Sequence, residues 1–197
     1  MTELCKRAFG YRTEWHAFAL NQLGITLMYD NQSTRALQCF LESLDIRKYL
    51  WGENEITAVE YNNIGCAYDA IGEWMIGNTY LMKALEIRKS KLGDHEDTAE
   101  SYCNIANNLM NMQRNNEALI YARKSIAIRN RIGDNFKIAY SLNNLALIYN
   151  NLDEKGRAMS LLDKAIRILN SFGWTESMEI QTMKVNRNHI YGQSLDT

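Results

Sequence analysis

The chain has 197 residues, 46% of them hydrophobic and 23% charged, and 22 Lys and Arg against 23 Asp and Glu leave a formal net charge of −1. That balance provides no general electrostatic footprint for a phosphate backbone or an anionic membrane, so nucleic acid is not an expected ligand. Proline is absent and asparagine numbers 21, which points to a mostly helical chain whose turns are made without proline.

Residues 1–12 hold Lys6-Arg7-Ala8-Phe9-Gly10, similar to Lys48-Tyr49-Leu50-Trp51-Gly52. They read as the end of a truncated preceding unit, and the chain is expected to be a piece of a longer protein. Repeat 1 covers 13–53, with helices predicted at 13–29 and 33–50. Leu20, Leu23 and Leu27, then Leu37, Phe40, Leu41 and Leu44, step by three and four, as one face of a helix requires. Repeat 2 covers 54–94, with helices at 55–70 and 73–91. Repeat 3 covers 95–134, with helices at 96–112 and 115–132. Repeat 4 covers 135–174, with helices at 136–151 and 155–171. A terminal or capping helix, 175–191, opens the last segment, 175–197. Polar breaks such as Asp30-Asn31-Gln32-Ser33 separate the two helices of a unit and supply N-capping side chains. A glycine closes each unit: Gly52, Gly93, Gly133 and Gly173.

The repeat rests on columns. Gly24, Gly65, Ala106 and Ala146 advance by 41, 41 and 40 residues. Twelve residues on come Ala36, Gly77, Ala118 and Ala158, then Phe40, Leu81, Ala122 and Leu162, then Ser43, Ala84, Ser125 and Ala165. Small residues are needed where two helices of one unit approach closely. Each hairpin then leaves an apolar face that only a neighbouring unit can cover.

These columns resemble the tetratricopeptide repeat, whose large–large–small–aromatic and small–aromatic–small pattern is met by Tyr61, Ile64, Gly65 and Tyr68, then Gly77, Leu81 and Ala84. The resemblance runs over about residues 13–173. Two departures are the 40–41 residue period and the missing terminal proline. The long period resembles kinesin-light-chain, nephrocystin and polarity-adaptor repeats. The resemblance implies an all-α, right-handed superhelical solenoid of antiparallel helix pairs, with first helices lining a concave groove.

Chemistry is sparse. No GxxxxGK[ST], GxSxG or HExxH motif is present, and His16, His95 and His189 fall in different units. No enzyme activity and no cofactor are expected. Cys5, Cys39, Cys66 and Cys103 form no CxxC pair, which argues for reduced thiols, a cytoplasmic setting and no metal site. No run of about 18 apolar residues occurs, so membrane insertion is not expected.

The amides are more telling. Gln22, Asn63, Asn104 and Asn144 stand two residues before the small column, and Asn21, Asn62, Cys103 and Asn143 three before it. Asn is a mediocre helix former, so its return at mid-helix has a cost in propensity. One reading is that the amides contact a peptide backbone in the groove, as in peptide-binding members of the family the columns resemble. The other is that they bond between adjacent first helices and hold the superhelix. The candidate peptide-binding residues are Asn63, Asn104, Asn144, Gln22, Asn62, Asn107, Asn111, Asn143 and Tyr140. The slot that carries a carboxylate-clamping Lys in some relatives holds Phe18, Val59, Glu100 and Tyr140, which argues against a C-terminal carboxylate clamp. Arg47, Arg88 and Arg129 form a second ladder, suited to helix C-termini and neighbouring acids or to an acidic partner.

The expected function is a non-catalytic scaffold binding a peptide segment of a protein partner in the groove. The alternative is a sensor or regulatory repeat region of a larger signalling protein, of the nucleotide-switch ATPase or peptide-pheromone receptor type. Its partners would then include other domains of a longer parent chain.

Overall fold

The computed structural model describes residues 12–195. Among them are nine helices and no strand: α1 (Glu14–Tyr29), α2 (Ser33–Trp51), α3 (Glu55–Ala70), α4 (Trp74–Leu92), α5 (Glu96–Asn111), α6 (Asn115–Ile132), α7 (Asn135–Asn151), α8 (Lys155–Ser171) and α9 (Met178–Leu195). The all-α class read from the repeat is the class found. The first eight helices lie within about a turn of their expected bounds. The ninth starts at Met178 rather than 175, because Ser177 and not the segment after Gly173 receives its first turn. Ile180 N donates to Ser177 Oγ at 3.3 Å, and Gln181 N to the Ser177 carbonyl at 3.1 Å. The truncated unit read into residues 1–12 lies, but for Arg12, outside the described residues.

The chain divides into two compact units, one ending at Gly93 and the other starting at Asp94. In the first, α1 packs on α2, α2 on α3 and α3 on α4, and the first helices α1 and α3 also meet. In the second, α5 packs on α6, α6 on α7, α7 on α8 and α8 on α9, and α5 and α9 both meet α7.

The small columns mark the tight crossings. A Cβ on Gly24 would stand 2.5 Å from Phe40 Cε1, and one on Gly65 would stand 2.6 Å from Leu81 Cγ and 3.1 Å from the Gly77 carbonyl. Around them Leu27, Phe40, Tyr61 and Ile64 fill the first core. In the second unit Ile105, Ile148, Leu162 and Leu169 are wholly buried. Burying each such side chain contributes about 1.5–3 kcal/mol.

The turns within repeats share one device. The N–H groups of Gln32, Glu73, Arg114 and Glu154 reach back to the carbonyls of Leu27, Tyr68, Leu109 and Tyr149 at 2.8–2.9 Å. This six-residue closure needs a left-handed residue just before each donor. That residue is Asn31, Gly72, Gln113 or Asp153, with φ of 57, 86, 60 and 61°. The closure ties off the carbonyl ends of the first helices, while α2, α4, α6 and α8 carry no side-chain cap, contrary to the expectation from their polar breaks. The side-chain caps sit at the starts of first helices. Thr13, Asn54, His95 and Asp134 each accept from a first-turn N–H, and Asn54 and Thr57 form a reciprocal capping box.

Candidate functional site

The two amide columns are neighbours in sequence but occupy different environments. One residue along a helix is a turn of about 100°. The inner column is turned into the protein: Asn21 and Asn62 are each only 5% exposed. Asn21 Nδ2 donates to Glu60 Oε1 at 2.9 Å, tying α1 to α3. In the second unit Asn186 Nδ2 donates to Asn143 Oδ1 at 3.1 Å, tying α9 to α7. Of Asn62 and Asn143, both read from sequence as peptide contacts, only Asn62 is corrected, since Asn143 is half-buried like Asn144. The first is buried and the second has its amide oxygen engaged by the neighbouring helix.

The outer column is more open. Gln22 is exposed and donates to Asn21 Oδ1 at 3.5 Å. Asn63, Asn104 and Asn144 are half-buried. Asn144 Nδ2 lies 3.1 Å from the Sγ of buried Cys103, which fills the inner slot of its repeat. Burial pushes the Cys103 thiol up, against the influence of Arg129, so it stays protonated and inert. On α5, Asn104, Asn107 and Asn111 fall at i, i+3 and i+7, which places them on one face. Asn107 is half-buried and Asn111 exposed. Tyr140 lies one turn before Asn144 on α7, half-buried beside Phe136, whose ring centroid is 5.6 Å away. Burial and the nearby Glu179 hold the Tyr140 phenol above its usual value, so it presents an uncharged hydroxyl.

The arginine ladder is interior. Arg47, Arg88 and Arg129 are all buried. Arg47 donates to Glu60 Oε1 at 2.6 Å and to Glu14 at 3.3 Å. Arg129 donates to both carboxylate oxygens of Glu96, to the Lys137 carbonyl and to Ser141 Oγ. The guanidinium groups of Arg47 and Arg129 hold helices together, and none of the three, all buried, is presented to an acidic partner.

Glu60 is the residue that sequence reasoning missed. It is wholly buried, and its Oε1 accepts from Asn21, Ser43 and Arg47 at 2.9, 2.8 and 2.6 Å. Burial outweighs those donors and pushes its carboxyl above the usual glutamate value. It stands in no column, since its counterparts are Ala19, Ser101 and Ser141. A signal was nonetheless present: Glu14, Glu55 and Glu96 each precede a ladder arginine by 33 residues. Among the described residues no group of three His, Cys, Asp or Glu could hold a metal, and no helix is long and apolar enough to cross a membrane.

Residues 97–171 match the tetratricopeptide repeat family model. The chain contains tetratricopeptide repeats. No curated protein matches it in sequence. Its structure is similar to that of BtubC (BKLC) from P. vanneervenii, with TM-score 0.79 and 16% identity over 99% of this chain and 79% of that one. It is also similar to the tetratricopeptide-like repeats of a putative kinesin light chain from Podospora anserina, with TM-score 0.74 and 15% identity over 93% of this chain and 89% of that one. A third similar structure is a Rap protein complexed with competence and sporulation factor. Its TM-score is 0.84 at 14% identity, and the match covers 99% of this chain and 53% of that one. At such identities the likeness is one of tetratricopeptide fold.

Proposed function

We propose that this chain is a non-catalytic interaction scaffold that binds a peptide segment of a protein partner on the face of its first helices. The observation that carries the reading is the stripe of Asn104, Asn107 and Asn111 on α5, with Asn144 and Tyr140 on the adjoining α7. Asn costs helix propensity at each of these positions, and amides there are open to solvent in part or in full. An amide offers both a donor and an acceptor, which suits an extended backbone irrespective of its side chains. The likeness to a Rap protein in complex with a factor supports the same reading.

A linear-peptide phage library selected on the purified chain tests it. Asn104→Ala with Asn107→Ala should weaken selected peptides roughly 5- to 150-fold, from two hydrogen bonds of about 0.5–1.5 kcal/mol each. The melting temperature should hold or rise, because Ala is the better helix former. Unchanged affinity, or failure to select any peptide, would reject this site.

A second reading, a sensor region within a larger signalling protein, is favoured by one finding: the chain spans only 53% of the Rap protein that it resembles. Sequencing the gene on both sides of this segment tests it directly.

A further inference from the structure

The first unit holds a cleft of about 200 Å³. Ile25, Met28 and Tyr29 of α1 form one wall, Phe40 of α2 the floor, and Asn63 and Cys66 of α3 the other wall. The lining carries no charged side chain. The volume is small against the roughly 300–1,000 Å³ of metabolite and cofactor pockets, and suits a single side chain.

Asn63 distinguishes this cleft from the rest of its column. Asn144 spends its Nδ2 on Cys103, and Gln22 spends its Nε2 on Asn21. The Nδ2 of Asn63 is shut off from solvent yet has no hydrogen-bond partner among the described residues. A buried donor left unpaired is a standing cost to the fold, and an acceptor brought to it removes that cost. Asn63 lines the cleft and is half-buried as a residue, and its terminal amide torsion is soft, so its donor can turn to meet an acceptor that enters the cleft.

We infer that this cleft is the anchoring pocket for one uncharged aliphatic side chain, of leucine or methionine size, in an extended peptide. The peptide carbonyl beside that side chain accepts from Asn63 Nδ2. Apolar walls select the side chain, and the amide fixes the chain's register. The inference rests on the peptide-binding reading above and adds to it which residue of the ligand is read and where. The ligand is a peptide rather than a small apolar molecule because Asn63 Nδ2, in the cleft lining, is a donor without a partner among the described residues, and a bare hydrocarbon would leave it so.

The test uses linear peptides selected by phage display on the intact chain. Selected peptides should share one aliphatic position, and its replacement by Ala should weaken binding roughly 10- to 100-fold. Asn63→Ala should weaken the parent peptide about 2- to 12-fold. It should also raise the melting temperature, since it removes an unpaired donor and gains helix propensity. Cys66→Phe, which fills the cleft, should weaken the parent peptide and leave the Ala-substituted peptide unaffected. Tyr29→Ala, at a residue 84% exposed and so without risk to folding, gives the same readout from the rim. Peptides that bind without an aliphatic position, or whose affinity ignores Asn63, Cys66 and Tyr29 while responding to Asn104 and Asn107, overturn the pocket and leave the scaffold reading standing. A lower melting temperature for Asn63→Ala overturns the pocket as well, because the amide would then be a structural bond. A library that yields no peptide overturns both.

Discussion

The two compact units meet the same requirement with different chemistry. Each buries an arginine near the end of a second helix and gives it a glutamate 33 residues earlier: Glu14 for Arg47 and Glu96 for Arg129. They differ in the next partner along. The first unit presents Glu60 to Arg47, and the second presents Ser141 to Arg129. One unit therefore places two carboxylates on one guanidinium, with Glu60 fully buried and its Oε2 unpartnered among the described residues. The other shares one carboxylate, Glu96, between Arg129 and Lys137, and completes the arginine's shell with a hydroxyl and a carbonyl. The family model matches within the second unit alone. The repeat geometry thus leaves the partners of the buried arginine to vary, and in the fourth repeat the arginine itself gives way to buried Leu169.

The largest test of this contrast is removal of the varying partner. Glu60→Ala removes an acceptor shared by three buried donors, on Asn21, Ser43 and Arg47, of which Ser43 keeps the Ala17 carbonyl and Arg47 keeps Glu14. It should cost about 3–5 kcal/mol in urea unfolding. Ser141→Ala removes one neutral partner and leaves Arg129 its bidentate Glu96, so about 1–2 kcal/mol is expected. Equal losses would mean that the two networks are interchangeable after all.

The small column separates the units next. In the first unit it is Gly24 and Gly65, and in the second Ala106 and Ala146. Gly65→Leu pushes a branched side chain into Leu81 and the Gly77 carbonyl, and overpacking of this kind costs about 1–3 kcal/mol. Ala106→Gly removes one methyl and adds backbone entropy, about 0.5–1 kcal/mol. Differential scanning calorimetry should rank them in that order. A neutral Gly65→Leu would mean that the helices of the second repeat do not cross at this point.

How much of this was legible follows from what repeats. Close helix crossings force small residues at a fixed period, so the hairpins and the columns could be read from one sequence. The start of α9 could not, because the glycine that ends α8 is followed by Trp174, Thr175 and Glu176 before Ser177 supplies a cap. The polar residues at the within-repeat breaks resemble caps, but there the residue before each second helix closes back on the preceding helix through its backbone N–H and its side chain caps nothing. The amide site was legible in part. Adjacent asparagines look alike in a string, yet Asn21 faces a carboxylate and Gln22 faces water. Glu60 was hidden because it occurs once in its slot, and periodicity reports only what recurs.

Acidity offers a third comparison. Burial holds the Glu60 carboxyl above its usual value of 4.5, despite Arg47. A carboxyl raised in this way favours the folded state in its protonated form. Its contribution is complete below 4.5 and is lost as pH rises through the folded-state value. Glu60→Gln keeps an acceptor oxygen and cannot ionise. The stability of the natural chain relative to Glu60→Gln should therefore fall as pH rises from the ordinary glutamate range toward neutrality. No equivalent trend is expected for Ser141→Ala, whose slot does not titrate. If the natural chain instead gains on Glu60→Gln with rising pH, attraction to Arg47 outweighs burial, and the excess carboxylate of the first unit is no burden.

The smallest expected effect compares the turns. Both units close their hairpins with a left-handed residue, Gly72 at φ 86° in the first and Gln113 at φ 60° in the second. Glycine reaches that region without steric cost, whereas a side chain such as glutamine pays about 1–2 kcal/mol there. Gln113→Gly relieves this strain, and part of the gain is returned as the greater freedom of glycine in the unfolded chain, about 0.4–1 kcal/mol. A net stabilisation of roughly 0.5–1 kcal/mol follows. The reverse exchange, Gly72→Gln, should lose a similar amount, because nothing lies within 4 Å of a Cβ at Gly72 and only the backbone conformation resists it. Paired urea titrations of the two variants should thus move in opposite directions. Destabilisation by Gln113→Gly would show that the glutamine side chain, exposed in the turn, makes a contribution larger than its backbone strain, and that the two turns are alike in shape but not in what holds them.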